Sequence, residues 1–424
     1  MNFLKHLSVY TFVSFLGAGI SFFLVPYLSY YIKPAEYGIL SLLSTFVTIL
    51  VPFIGLTASG LVTVEYYRIK DKKEYARLFS SIQILPVAPF LFFLLLTILF
   101  PDLFARFFEI PPEKKNWIIL SVPIALFTIY YETLLAFSII EKKPLIYALF
   151  NVSRLLLEVG LTILLITRFG FGWEGRLMSL LITTTIMTII GFIFFFRKKL
   201  LTTKISWHYI HTGLLFGLPL ILHTVGKFLI NQSDRIFIAK MISLDEAGIY
   251  NIGYQVGMIM LLIVNAMGNF FRPFLFERLS DLTYTAKQNI VKMGYTLVGL
   301  MFFILIIMTV GAPFFFKWFV SEQYQRGTIF VSWIGLSYVF WGIYIIFSGF
   351  IFYTKKTTIL AWLAVVNVIL NLGLNYFLIK KFGAMGAAYA TCISCFVLAV
   401  IIIGIVDKMY KLPWFKFKLQ KALS

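Results

Sequence analysis

Long apolar runs follow one another along this chain with only short polar breaks, and no other feature narrows its fold so far. About twelve runs are each long enough to cross a bilayer core as a helix, which takes roughly twenty apolar residues. They are Leu7–Ile32, Gly38–Val64, Leu78–Phe100, Trp117–Ile140, Leu145–Ile166, Leu177–Phe196, Gly213–Ile230, Gly248–Phe271, Met293–Phe316, Thr328–Tyr353, Thr357–Ile379 and Ala384–Val406. With 60% hydrophobic and 13% charged residues, the chain does not have the composition of a soluble globular protein. The fold class expected is an all-α polytopic membrane protein. Lys5 precedes a first run too long for a signal-peptide core, and no small-residue cleavage site follows it, so the first helix is expected to stay as an anchor.

The chain also repeats itself at a lag of about 210 residues. Glu36-Tyr37-Gly38-Ile39 returns as Glu246-Ala247-Gly248-Ile249, and Arg68, Asp71, Ala76 and Arg77 return as Arg278, Asp281, Ala286 and Lys287. Further on, Pro101 returns as Pro313, Lys142-Lys143 as Lys355-Lys356, Gly160 as Gly373, and Phe169-Gly170 as Phe382-Gly383. These are charged, Gly and Pro residues at element boundaries, and they keep their order. Two lobes follow, residues 1–208 and 209–424, of about six helices each, an architecture of transporters.

The net charge of +19 suggests nucleic acid at first, but its placement follows topology. Alternate loops hold Arg68, Lys70, Lys72, Lys73 and Arg77; Lys142 and Lys143; Arg197, Lys198, Lys199 and Lys204; Arg272, Arg278, Lys287 and Lys292; Lys355 and Lys356. The tail adds Lys408, Lys411, Lys416, Lys418 and Lys421. The positive-inside rule then puts both termini in the cytoplasm and gives the lobes one orientation, a parallel repeat. No nucleic-acid partner is expected.

The sequence has no phosphate-cradling Gly-Lys-Ser/Thr loop, no Gly-x-Gly-x-x-Gly after a strand and no His-Glu-x-x-His. His208 and His211 have metal-ligand spacing but no third ligand nearby, and Cys392 and Cys395 read as small packing residues in an apolar helix. A membrane glycan polymerase or ligase would carry a large external loop with catalytic Arg or His, for which there is no room here. Neither enzymatic activity, nor a cofactor, nor a metal is expected.

Charges inside a bilayer are costly and normally face a bundle interior or a watery cavity. Those inside the runs are Glu65, Glu132, Arg154, Glu158, Lys227, Asp234 and Arg235. Arg154 and Glu158 are i, i+4 neighbours on one face with Asn151 and Thr162, and Glu132 is either a second partner for Arg154 or a proton-titrating carboxyl. His223, Lys227 and Asn231 form one stripe of the seventh helix, with no acid within a turn of Lys227. An unpaired cation there fits a water-filled lumen or an anionic ligand. Asn367, Asn371 and Asn375 lie one turn apart, as helix glue or as contacts for sugar hydroxyls. Asn251, Gln255, Asn265 and Asn269 fall roughly on one face of the eighth run.

Three segments carry a resemblance. Pro34-Ala35-Glu36-Tyr37-Gly38 opens the first half; Gly217-Leu218-Pro219-Leu220, Asn231-Gln232-Ser233-Asp234-Arg235 and Ala247-Gly248-Ile249-Tyr250-Asn251 open the second; Phe382-Gly383-Ala384-Met385-Gly386-Ala387-Ala388 lies near the end. In that order, with twelve spans, they resemble the polysaccharide-repeat (O-antigen or capsule) flippases of the multidrug/oligosaccharidyl-lipid/polysaccharide exporter superfamily. The resemblance implies two six-helix lobes around a central cavity that opens alternately to each side. It implies a polyprenyl-diphosphate-linked oligosaccharide cargo moved to the outer leaflet of the inner membrane, membrane lipids as neighbours, and a glycan polymerase and chain-length regulator as partners. Arg154 and Lys227 then serve the diphosphate, while Glu132, Glu158 and Asp234 are the possible proton carriers, with Arg235 as an ion-pair partner. The alternative is an ion-coupled multidrug exporter of the same superfamily, which would carry an acid in helix 1 or an acidic cluster around helices 7 and 8.

Overall fold

A computed structural model describes residues 2–414; side chains at 2–12, 14, 18, 21, 219, 222, 223, 225–231 and 357 lie outside that description. The chain runs through α1 (Asn2–Tyr31), α2 (Pro34–Gly55), α3 (Ser59–Glu65), α4 (Lys72–Ile84), α5 (Val87–Leu99) and α6 (Pro101–Phe107). It continues through α7 (Asn116–Ile140), α8 (Pro144–Thr167), α9 (Trp173–Arg197), α10 (Trp207–Met241) and α11 (Leu244–Gly257). It closes with α12 (Ile259–Ser280), α13 (Tyr284–Phe319), α14 (Thr328–Tyr353), α15 (Thr357–Phe382) and α16 (Met385–Tyr410). Helices stand at every expected run, and among the described residues ten segments are long and apolar enough to cross a membrane. No strand occurs among the described residues.

Local chemistry sets the helix ends. Pro34 and Pro144 open α2 and α8, where a missing N–H costs nothing. Asp71 caps α4 by accepting from the Lys73 N–H at 3.0 Å, and Thr283 caps α13 by accepting from the Ala286 N–H at 3.1 Å. Four helix C-termini end on a lysine in the left-handed region: Lys142 (φ 56°), Lys199 (φ 57°), Lys355 (φ 59°) and Lys411 (φ 46°). At three of them the following N–H reaches back to the last turn: Lys143 to the Ser138 carbonyl at 3.1 Å, Leu200 to Phe195 at 3.0 Å and Lys356 to Ile351 at 3.2 Å.

Three expected runs are broken rather than continuous. The second breaks after Gly55, where Leu56 and Thr57 both take positive φ (49° and 47°). The third breaks before Val87, after Pro86. The eighth breaks at Met258, between α11 and α12, so its polar face is split: Asn251 is buried while Asn265 and Asn269 are exposed.

The chain clusters by packing into two compact units, Met1–Gly248 and Ile249–Ser424, whereas the sequence repeat led to an expected boundary between residues 208 and 209. Within the first unit, α7 packs on α2 and α9, α9 on α8, α8 on α1, and α10 on α2, α3 and α4. Within the second, α14 packs on α12, α13 and α16, and α16 on α15. The pairs α7–α9 and α8–α9 thus return as α14–α16 and α15–α16, so the duplication is one of packing as well as sequence. The first unit's core is aromatic: Phe79 lies 4.7 Å from Phe195 and 5.8 Å from Phe137, ring centre to ring centre. Phe23, Phe92, Phe303 and Phe377 stand more than half exposed. That much bare aromatic surface suits lipid rather than water.

Candidate functional site

The first unit gathers charge where α7, α8 and α9 meet. Glu158 is buried on α8 and forms ion pairs with two guanidinium groups at once. Arg154, one turn earlier on α8, lies 2.7 Å away, and Arg176 reaches across from α9 to 2.6 Å. Arg176 also donates to the Thr162 hydroxyl at 3.2 Å, and Thr162 and Ser179 hydroxyls lie 2.6 Å apart, tying α8 to α9. One carboxylate between two cations leaves the cluster with an excess positive charge. Sequence reasoning paired Arg154 with Glu158 and missed Arg176, because that residue sits just before the sixth apolar run and reads there as loop. The helix already begins at Trp173, which carries Arg176 inward.

Arg154 is not used up by this pair. Its guanidinium lies over the Tyr131 ring at 5.0 Å, its side chain remains 25% exposed, and its Nε has no partner. The Tyr131 hydroxyl beside it has no hydrogen-bond partner either. Glu132 is exposed yet lies deep among protein atoms, within electrostatic reach of Arg154. It makes no ion pair with Arg154; Glu158 and the Tyr131 ring hold that guanidinium instead. An arginine with an unfilled donor, a phenol and a carboxylate outside any ion pair among the described residues can together take up an anion and a proton.

The stripe His223, Lys227 and Asn231 falls on α10, and these three side chains lie outside the described residues. Ser233, Asp234 and Arg235, further along α10, are buried. Glu65 stands at the end of α3 and pairs with Arg68 at 3.1 Å, so it belongs with the basic loop and not with the spans.

In the second unit the Asn ladder is buried, Asn367 at 2% and Asn371 and Asn375 at 0% exposure. Asn375 donates to Asn371 at 3.1 Å, and Asn371 donates to the Ser394 hydroxyl of α16 at 3.3 Å. In this conformation Asn371 and Asn375 hold α15 to α16 and are withdrawn from any watery lumen. Neither amide atom of Asn367 has a partner. At the lag that carries Gly160 to Gly373, Arg154, Glu158 and Thr162 map onto Asn367, Asn371 and Asn375. The same seam is therefore polar in both halves, charged in one and amide-lined in the other.

Close backbone approach marks two further places. An added Cβ at Gly38 would meet the Leu244 carbonyl oxygen at 2.1 Å, and one at Gly248 would meet the Pro34 carbonyl oxygen at 2.0 Å. One at Gly217 on α10 would meet the Leu56 carbonyl oxygen at 1.8 Å. Beside it the Thr57 hydroxyl donates to the Gly217 carbonyl at 2.7 Å, so the break in the second span is bonded to α10.

A family model described as polysaccharide biosynthesis protein matches residues 3–277. An uncharacterized membrane protein of Haemophilus influenzae is 26% identical over 397 residues, covering 88% of this chain and 89% of that protein. Among solved structures, the lipid II flippase MurJ in an inward closed conformation superposes with a TM-score of 0.74 at 15% identity, covering 95% of this chain and 87% of MurJ. A multidrug resistance MATE family transporter of the MOP superfamily in an inward-facing conformation superposes with a TM-score of 0.65 at 14% identity, covering 95% of this chain and 94% of the other. At those identities the likeness is one of fold.

Proposed function

The chain belongs to the polysaccharide biosynthesis protein family, and on that premise we propose that it is a flippase for lipid-linked oligosaccharide. Its cargo is a polyprenyl-diphosphate-linked repeat unit, moved by alternating access from the cytoplasmic to the outer leaflet of the inner membrane, for O-antigen or capsule synthesis. Both termini are cytoplasmic, and the lobes are residues 1–208 and 209–424. A glycan polymerase and a chain-length regulator act on the product.

The observation that carries this reading is the family match in a chain with the fold shared by MurJ and MATE transporters. Arg154 supports it, since a guanidinium with an unpartnered Nε beside a phenol suits a diphosphate. Lys227, His223 and Asn231 serve the diphosphate and the sugar hydroxyls from α10. Glu132, exposed and unpaired among the described residues, is the better proton carrier. Glu158 is held by two guanidinium groups, and Asp234 and Arg235 are buried, which suits anchoring.

The test is a deletion strain assayed for surface glycan and for the leaflet holding its lipid-linked precursor. Single repeat units trapped on the cytoplasmic side, with surface glycan lost, support the flippase. Units that reach the outer leaflet unpolymerised point to a polymerase. Unchanged glycan with new sensitivity to cationic drugs moves the chain to the ion-coupled multidrug exporters. Lys227→Ala should abolish export while the protein still inserts, and Lys227→Arg should retain part of it; normal glycan display by Lys227→Ala would remove Lys227 from the role.

A further inference from the structure

A large recess in the first unit lies away from the charged seam. It has a volume of about 1250 Å³ and is bounded by the turn from α3 into α4, the last turn of α7 and the segment from α9 to α10. By the positive-inside rule this is the cytoplasmic end of the unit. Seven cations and two acids line it.

The two acids are already engaged. Glu141 takes Lys198 at 2.5 Å and Lys143 at 3.2 Å, and Glu74 accepts from the Tyr209 hydroxyl at 2.5 Å. Lys70, Lys72, Lys73 and Arg77 on one wall make no ion pair among the described residues, nor do Lys199 and Lys204 on the other. All six are exposed. The floor is aromatic and hydrogen-bonded. Tyr66 meets Tyr75 and Phe137 edge to face at 5.3 and 5.9 Å, the Tyr75 hydroxyl donates to the Val62 carbonyl at 3.2 Å, and the Tyr67 hydroxyl donates to Ile140 at 2.8 Å.

Cations that merely orient a membrane protein need no enclosure, because loop charge alone sets topology. Here two basic walls, from segments far apart in sequence, face one another across a built aromatic floor. That arrangement concentrates positive potential in a concave space, where a doubly charged anion is held better than a single one. We propose that this recess is a binding site for a lipid-borne phosphate or diphosphate at the cytoplasmic leaflet, distinct from the Arg154 seam. Its walls take the phosphate oxygens, and its tyrosine floor takes the apolar or sugar portion next to them.

The experiment uses the full chain in nanodiscs of phosphatidylcholine doped with either phosphatidylglycerol or undecaprenyl diphosphate, with bound lipid counted by native mass spectrometry after release. Three variants are compared: Lys72→Gln/Lys73→Gln/Arg77→Gln, Lys199→Gln/Lys204→Gln, and, as a control on charge alone, Lys355→Gln/Lys356→Gln. The substituted side chains are exposed, and a Lys72→Arg/Lys73→Arg/Arg77→Lys variant, which should bind as the native chain does, guards against misfolding. We expect phosphate-lipid binding to weaken by about tenfold or more in each recess variant and to be unchanged in the control. Preference for undecaprenyl diphosphate identifies the glycolipid carrier as the source; equal retention of phosphatidylglycerol identifies the bilayer lipid. Either supports the site. Binding that is absent for both lipids, insensitive to the recess variants, or lost equally in the control overturns it.

Discussion

Gly38 and Gly248, repeat counterparts at the starts of α2 and α11, meet backbone to backbone: a Cβ on Gly248 would fall 2.9 Å from the Gly38 nitrogen. The contact is reciprocal. Gly38 abuts the Leu244 carbonyl, and Gly248 abuts the carbonyl of Pro34, which is the counterpart of Leu244. Equivalent residues contacting each other's neighbours is the signature of a local two-fold relation. It also explains why these positions recur in the sequence as glycines. Any side chain would have to displace a backbone carbonyl.

Gly38→Ala and Gly248→Ala should therefore each destabilise the purified protein by about 1–3 kcal/mol, the cost of overpacking. Gly160→Ala and Gly373→Ala are the controls, since nothing lies within 4 Å of an added Cβ there. They should be neutral or slightly stabilising through helix propensity. Thermal midpoints in one detergent decide it, and equal midpoints for all four variants would sink the argument.

Glu158 should be the least replaceable residue of the charged seam. Glu158→Gln leaves Arg154 and Arg176 facing each other with no intervening anion, a loss of roughly 3–5 kcal/mol for a broken buried ion pair. Arg176→Ala leaves the Arg154–Glu158 pair intact and should cost less. Arg154→Ala should fold but fail in glycan export, because Arg154 is the partly exposed member. The ranking is read from thermal midpoints and yield. Arg176→Ala more damaging than Glu158→Gln would show that the arrangement of the three is not as described.

The spans, the duplication and the Arg154–Glu158 pair were legible because each rests on local spacing: apolar run length, a fixed lag, and one helical turn. Arg176 was not, since the edge of an apolar run is a poor guide to where the helix starts. The Asn ladder stayed open between helix glue and a watery face for a different reason. Periodicity tells that Asn367, Asn371 and Asn375 share a face, not whether that face meets water or α16. The split of the eighth run into α11 and α12 left no mark in composition, and with it went the expectation of one continuous polar stripe.

Thr57 is a β-branched residue in the left-handed region, a costly conformation for its side chain. Its hydroxyl bond to Gly217 compensates. Thr57→Val should lose about 1 kcal/mol, the net worth of the hydrogen bond. Thr57→Ser keeps the donor and drops the branch, and should match or exceed the native stability. If valine and serine variants melt together, the hydroxyl does not hold the break to α10.

The lysines in left-handed positions join two demands in one side chain. A helix C-terminus wants a residue that tolerates positive φ, for which glycine is best, and it also wants a cation against the exposed carbonyls. On the topology proposed above, the bilayer adds a third demand, positive charge on the cytoplasmic ends. Lysine meets the last two and accepts strain for the first; Lys142 and Lys355, repeat counterparts, do so at φ 56° and 59°. Lys142→Gly and Lys355→Gly should each relieve about 1 kcal/mol of backbone strain, offset in part by the greater freedom of the unfolded chain. Both side chains are exposed, so no packing is lost. Replacing both should leave thermal stability level or higher while weakening orientation, as read by accessibility of a cysteine introduced in the α7–α8 turn. A fall in stability with orientation intact would mean that these lysines act through a contact of their own and not through the topology rule.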